Sequence, residues 1–300
     1  MPVKRKQKKY EDLVITDDFM FGKVMRHPQR CRKLLEMILG VKIREVVFLE
    51  DQESLNPDYA AKGIRMDVYL EDAGNAVYNV EMQTENTGEL PERSRYYQAV
   101  IDINLIKRGE DYAAVKKSYV IFICTFDLFG AGRQIYHFEN LCREDPAIRL
   151  DDGTEKIFLN TKGRKESKAA PEEVGEDLWN LLGYLEGAAP CDAYTEELDK
   201  AVRAAREHRE WRREYMKLEV MRWDMRREGR AEGRTEVLIS QLYRKIKKGK
   251  TLEEIAEDLE EEADKIKPIY DMVVKYLPNY EPEKILKKLN SKDMLFVNKD

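Results

Sequence analysis

Three polar side chains on two neighbouring strand-like runs have the types and spacing that could do chemistry. Asp67 lies in GIRMDVYLED (63–72), while Glu81 and Gln83 lie in AVYNVEMQTE (76–85). A strand sends successive side chains to opposite faces of its sheet. Ile64, Met66, Val68 and Leu70 then share one face of the first run, leaving Arg65, Asp67, Tyr69 and Glu71 on the other. In the second run Tyr78, Val80 and Met82 oppose Asn79, Glu81 and Gln83. The runs are joined by EDAGNA, where Gly74 suits the positive φ of a short hairpin loop. A loop symmetric about Gly74 sets Asp67 opposite Glu81. Side chains so paired have Cβ atoms about 4.5–5.5 Å apart, where like charges repel. A shared cation such as Mg²⁺, which takes oxygen ligands and keeps several waters, accounts for such a pair. So does a proton retained on one acid, or a solvent-facing pair that relaxes apart. A register slip of one residue would send the two acids to opposite faces.

The elements around these runs must hold them in place. Thr16, Asp17 and Asp18 supply helix-start chemistry before Phe19, Phe21, Val24 and Met25, and Pro28 interrupts that helix. CRKLLEMILG continues as a second amphipathic helix through Leu34, Leu35, Ile38 and Leu39, ended by Gly40. REVVFLED (44–51) is a strand before the two already named, and a helix follows from about Glu92 to Arg108, stopped by Gly109. SYVIFICTF (118–126) is almost continuously apolar, as expected of a strand buried on both faces. Weaker strands near QIYHFE and KIFLNT complete the sheet. Helix, three strands, helix, strand implies a mixed α/β sheet with helices on both faces.

Composition narrows the function classes. The 300 residues are 42% hydrophobic, enough for a packed core. The net charge of −5 conceals a basic block, with 16 Lys or Arg against 8 acids from Ala201 to Lys250. From Thr251 to Lys265 the balance reverses, to 8 acids against one Lys, so any polyanion partner meets one part of the chain. No run approaches the roughly 20 apolar residues of a membrane span. MPVKRKQKKYEDL has no apolar run after its basic residues, so it is read as a basic tail (1–9), solvated or touching phosphates, and not as a secretory signal. Cys31, Cys124, Cys142 and Cys191 form no CxxC pair, which fits reduced thiols in the cytoplasm. His27, His137 and His208 lack zinc-motif spacing, and GRAEGR follows no strand, so it is not a phosphate loop.

RMDVYLEDAGNAVYNVEMQTEN resembles the active-site hairpin of the PD-(D/E)XK nuclease superfamily, closest to its branch of recombination-promoting nucleases and putative transposases. The resemblance extends to TDDFMFGKVM, to ERSRYYQAVIDINLIKRGEDY, and on to about residue 190. It implies a restriction-endonuclease-like fold and Mg²⁺-dependent cleavage of DNA phosphodiester bonds. Asp67 and Glu81 match the two motif acids, and Gln83 stands where lysine is usual, a variant this branch uses. By the same resemblance Asp67, Glu81 and the backbone carbonyl of Met82 ligate the metal, with Asp18 (and Asp17 behind it) as a further ligand from the first helix. Plain helix capping is the competing reading for both aspartates. Glutamine cannot supply lysine's charge and only orients water or a phosphate oxygen by hydrogen bonds. In ERSRYYQAV, Arg93 and Arg95 are candidates for phosphate contact, and Tyr97 shares a helix face with Arg93. Core packing under the helix is the plainer role for the tyrosines, and solvated surface for the arginines.

The expected organisation is a nuclease-like domain over about 10–165 and a helical region over 172–300, with the polar GRKESKAAPEEVG segment at their junction. A long charged helix is expected over about 195–247 and a helical pair over about 251–289. Gly229 and Gly233 each weaken that long helix by roughly 1 kcal/mol relative to alanine, so a bend is expected there. Its arginines, interleaved with acids, suit either an arm along the DNA backbone or helix pairing, including self-association into a homo-oligomer. The leading function is a DNA endonuclease of low sequence specificity tied to recombination or transposition. The rival is a nuclease fold that has lost efficient catalysis and serves as a DNA-binding or self-associating module.

Overall fold

The computed structural model describes residues 8–49, 66–106, 109–163, 174–277 and 280–290. The first residues of the expected Asp67 strand (with Arg65), most of the basic tail and most of GRKESKAAPEEVG lie outside them. Six strands, β1 (Val46–Phe48), β2 (Val68–Asp72), β3 (Val77–Gln83), β4 (Ser118–Cys124), β5 (Ile135–Phe138) and β6 (Thr154–Asn160), form one sheet in the order β1-β2-β3-β4-β6-β5. β1 to β3 run antiparallel, β3, β4 and β6 are mutually parallel, and β5 returns antiparallel at the edge. The fold is therefore the expected mixed α/β architecture, consistent with the restriction-endonuclease-like class.

Helix α3 (Leu90–Leu105) is the crossover that makes β3 and β4 parallel. It covers the sheet face carrying Glu81, laying Tyr97, Val100 and Ile101 on Val120, Phe122 and Phe158. Helices α1 (Asp18–Met25) and α2 (Pro28–Leu39) bury Met20, Phe21, Leu34 and Leu35 on the other side. All seven residues of β4 are buried, as a strand covered on both faces requires. Pro28 opens α2 at a position where its missing N–H costs no hydrogen bond, and Gly40 ends it in the left-handed region at φ 66°.

The hairpin turn differs from expectation. Its positive φ falls on Asn75 (61°), not Gly74. Asp72 organises the loop, its Oδ1 accepting from the N–H groups of Gly74 (2.8 Å) and Ala76 (3.0 Å). Asparagine tolerates that conformation better than most side chains.

The charged stretch after residue 192 is two helices, α5 (Ala193–Glu207) and α6 (Arg209–Ile246), parted at His208. His208 is extended, its ring stacks on Trp211, and its Nδ1 takes the Trp211 N–H at 3.3 Å. No local sequence pattern announces that break, whereas α6 runs unbroken through Gly229 and Gly233. Helix α4 (Glu176–Leu185) precedes them. The chain divides into two compact units, Met1–Arg212 and Arg213–Asp300. The second holds most of α6 with α7 (Leu252–Leu259), α8 (Ala263–Lys275) and α9 (Pro282–Asn290), around Leu238, Ile239, Leu242, Ile255, Ile266, Ile269 and Ile285.

Candidate active site

Asp67 immediately precedes β2, and the pairing of Val68 with Val80 sets it opposite Glu81. The two acids are tied through their backbones. The Asp67 N–H donates to Glu81 Oε1 at 3.0 Å, and the Met82 N–H donates to Asp67 Oδ2 at 3.0 Å. Both carboxyl groups thus lie at one place on one face of the hairpin, the face that α3 covers.

Helix α1 meets the site from the other side. A Cβ on Gly22 would stand 3.4 Å from the Asp67 carbonyl oxygen, at ordinary van der Waals contact, so α1 packs directly against this strand end. Asp17 precedes α1 and its carboxylate accepts from the Val14 N–H (2.8 Å) and pairs with Lys8. Asp18 is the first residue of α1, exposed, with Oδ1 accepting the Phe19 N–H at 2.7 Å. Among the described residues no three acidic, histidine or cysteine side chains gather as a metal-binding group.

Glu81 is only 1% exposed. Burial first, and the Asp67 carboxylate second, hold its carboxyl well above the usual carboxylate range, against the opposing pull of the Asp67 N–H and the Arg93 guanidinium. The pair is short of positive charge even with arginine beside it. Asn79 lies on the same face, fully buried. Its amide is close enough to favour the Glu81 charge, yet outside hydrogen-bonding geometry to any partner.

Arg93 projects from the first turn of α3 into this cluster. Its Nη2 reaches Glu81 Oε2 at 3.1 Å, and its Nη1 donates to Gln83 Oε1 at 2.9 Å. Nε and Nη2 both donate to the Tyr97 hydroxyl, at 3.0 and 2.7 Å. Tyr97 is 4% exposed, packed beside Phe122, and the guanidinium lies 5.0 Å from its ring centre. Sequence reasoning offered Arg93 as a surface or phosphate contact, and its place against Glu81 and Gln83 was not foreseen. The i, i+4 spacing to Tyr97 was the available signal. Arg95 is exposed on α3, apart from this cluster. Gln98, the next polar residue of α3, faces the strand ends and donates to Asp102 (3.0 Å) and Ser118 (2.5 Å).

The donor chemistry suits a hard divalent cation. Asp67, Glu81 and the Met82 carbonyl offer oxygen donors of the kind Mg²⁺ takes, and would hold it together with water. A divalent ion there would offset the Asp67 charge that, after burial, raises the Glu81 pKa.

The model of the PD-(D/E)XK nuclease family transposases matches residues 18–237. No curated protein and no solved structure matches the chain significantly. Families of this superfamily generally use divalent metals and act on nucleic acid, which bears on what the hairpin acids are for. With a match that spans both the Asp67–Glu81 hairpin and the α3 residues packed on it, this chain belongs to the PD-(D/E)XK nuclease family transposases.

Proposed function

We propose that the protein is a Mg²⁺-dependent DNA endonuclease of low sequence specificity that serves recombination or transposition. The observation that carries this reading is the apposition of Asp67 and Glu81, one acid almost wholly buried and both tied to the same hairpin rungs. Asp67, Glu81 and the Met82 carbonyl are the ligands. They would hold a Mg²⁺ ion, which would supply a water of lowered pKa and polarise the scissile phosphate. Gln83, being neutral, orients water or a phosphate oxygen by hydrogen bonds. Tyr97 fixes the Arg93 guanidinium beside that position, and Arg95 on the exposed side of α3 is suited to phosphate contact. Low sequence preference is in keeping with α7 and α8, whose apolar faces are spent on their own core and whose acids Glu253, Glu254, Glu257 and Asp264 repel phosphate. The four cysteines are free thiols, as suits a protein acting in the reducing cytoplasm.

A second reading rests on the ion pair itself. Arg93 already pairs with Glu81, and Gln83 replaces lysine, as in a nuclease fold retained for DNA binding or self-association with little catalysis. Nicking of supercoiled plasmid with and without Mg²⁺ separates the two, with Asp67→Ala as control. Metal-dependent nicking lost in Asp67→Ala supports the enzyme, and DNA retention without nicking supports the binding module.

A further inference from the structure

Arg93 stands where a metal bound by Glu81 must come. Glu81 Oε1 accepts the Asp67 N–H, and Oε2 accepts from the Arg93 guanidinium at 3.1 Å. Asp67 Oδ2 accepts the Met82 N–H. A divalent ion that took Glu81 Oε2 as a ligand would compete directly with the guanidinium. The two cations would also repel, more strongly in this part-buried setting than in water.

The arginine is built to leave. Its side chain is 35% exposed although Glu81 is 1% exposed, so the guanidinium has a path to solvent. Its other partners do not depend on Glu81. Tyr97 accepts from two of its nitrogens, and Gln83 accepts from a third. A glutamine at 83 matters here, because a lysine would repel the guanidinium that its amide oxygen now holds.

Building on the metal-site reading, we infer that Arg93 is an internal counter-ion for Glu81 that the incoming divalent metal displaces, while Tyr97 and Gln83 keep the freed guanidinium at the rim of the site. Arg93 thereby sets the metal concentration at which the site fills. It keeps the metal-free acids from standing uncompensated, and after displacement it leaves a planar fork facing the place where a phosphate would lie.

The test is calorimetric titration of Mg²⁺, and separately Mn²⁺, into the full chain without DNA in mildly alkaline buffer. Wild type is compared with Arg93→Gln, Arg93→Lys and Asp67→Ala, with thermal unfolding in EDTA as a check on folding. Displacement requires that Arg93→Gln binds metal about tenfold or more tightly than wild type, the scale of one charge-assisted hydrogen bond. Arg93→Lys, which keeps the charge and loses the fork, should fall between the two. The metal-induced rise in unfolding temperature should be largest for Arg93→Gln. Equal or weaker binding by a folded Arg93→Gln overturns displacement and leaves the metal site standing. If Arg93→Gln does not fold, Arg93→Lys decides: affinity no tighter than wild type overturns displacement. Absence of binding in wild type and variants alike, matching Asp67→Ala, overturns the metal site and displacement together.

Discussion

Asp67 and Glu81 hold each other through main-chain hydrogen bonds: the Asp67 N–H donates to Glu81 Oε1 while the Asp67 carboxylate takes the next strand's Met82 N–H, each at 3.0 Å. The first bond needs no particular side chain at 67, and the second needs an acceptor there. Asp67→Ala should therefore keep Glu81 in place and lose only about 1 kcal/mol, the net contribution of one hydrogen bond. Cleavage should vanish. Near-wild-type unfolding temperature with no nicking is the expected pairing. A large loss of stability would make Asp67 chiefly a structural residue.

Glu81→Gln reports on the charge alone. Burial and Asp67 raise the Glu81 pKa above its ordinary 4.5, so the ionised form is less favoured in the folded than in the unfolded chain. The stability linked to this group is then fully present below about 4.5 and is lost as pH rises through the folded value. In EDTA at neutral pH, Glu81→Gln should be at least as stable as wild type, and the gap should close as pH falls toward 4.5. Unfolding midpoints across that window check the sign. A variant clearly less stable than wild type at neutral pH would mean that the Arg93 bond outweighs the repulsion.

Gly22 tests the support beneath the site. At 3.4 Å from the Asp67 carbonyl, an added Cβ meets ordinary van der Waals contact, so Gly22→Ala should fold and act normally. Gly22→Leu adds volume that the packed α1 side cannot absorb, and should cost roughly 1–3 kcal/mol and lower cleavage. Thermal unfolding and nicking rates read both effects. If the leucine variant matches wild type in both, α1 does not brace Asp67.

The hairpin and the sheet were legible because strand alternation and loop length act locally: Val68 pairs with Val80 as a loop centred on Gly74 requires. β4 announced its burial through SYVIFIC itself. Arg93 was not legible, because where a helix's residues land on a sheet depends on crossing geometry that periodicity does not encode. Asn79 was missed for a related reason: nothing in YNVEM says that its polar face would be covered as fully as its apolar one. The long helix parts at His208, whose ring stacks on Trp211, with no proline or glycine at that point.

In α6, Gly229 and Gly233 lie in unbroken helix with nothing within 4 Å of an added Cβ. Replacing either with alanine should stabilise the helix by roughly 1 kcal/mol. An upward shift of the unfolding transition of the Arg213–Asp300 unit, additive for the double variant, is expected. A loss would mean that these glycines serve a close approach to another surface.

The central claim is that Asp67 and Glu81 act together as a metal-binding pair for DNA cleavage. Plasmid nicking by Glu81→Gln across a Mg²⁺ titration, with DNA binding measured in EDTA, tests it most directly. The account predicts no cleavage at any Mg²⁺ concentration, with DNA binding in EDTA unchanged or stronger because one negative charge near the phosphates is gone. Metal-dependent cleavage by Glu81→Gln at the wild-type rate would contradict it.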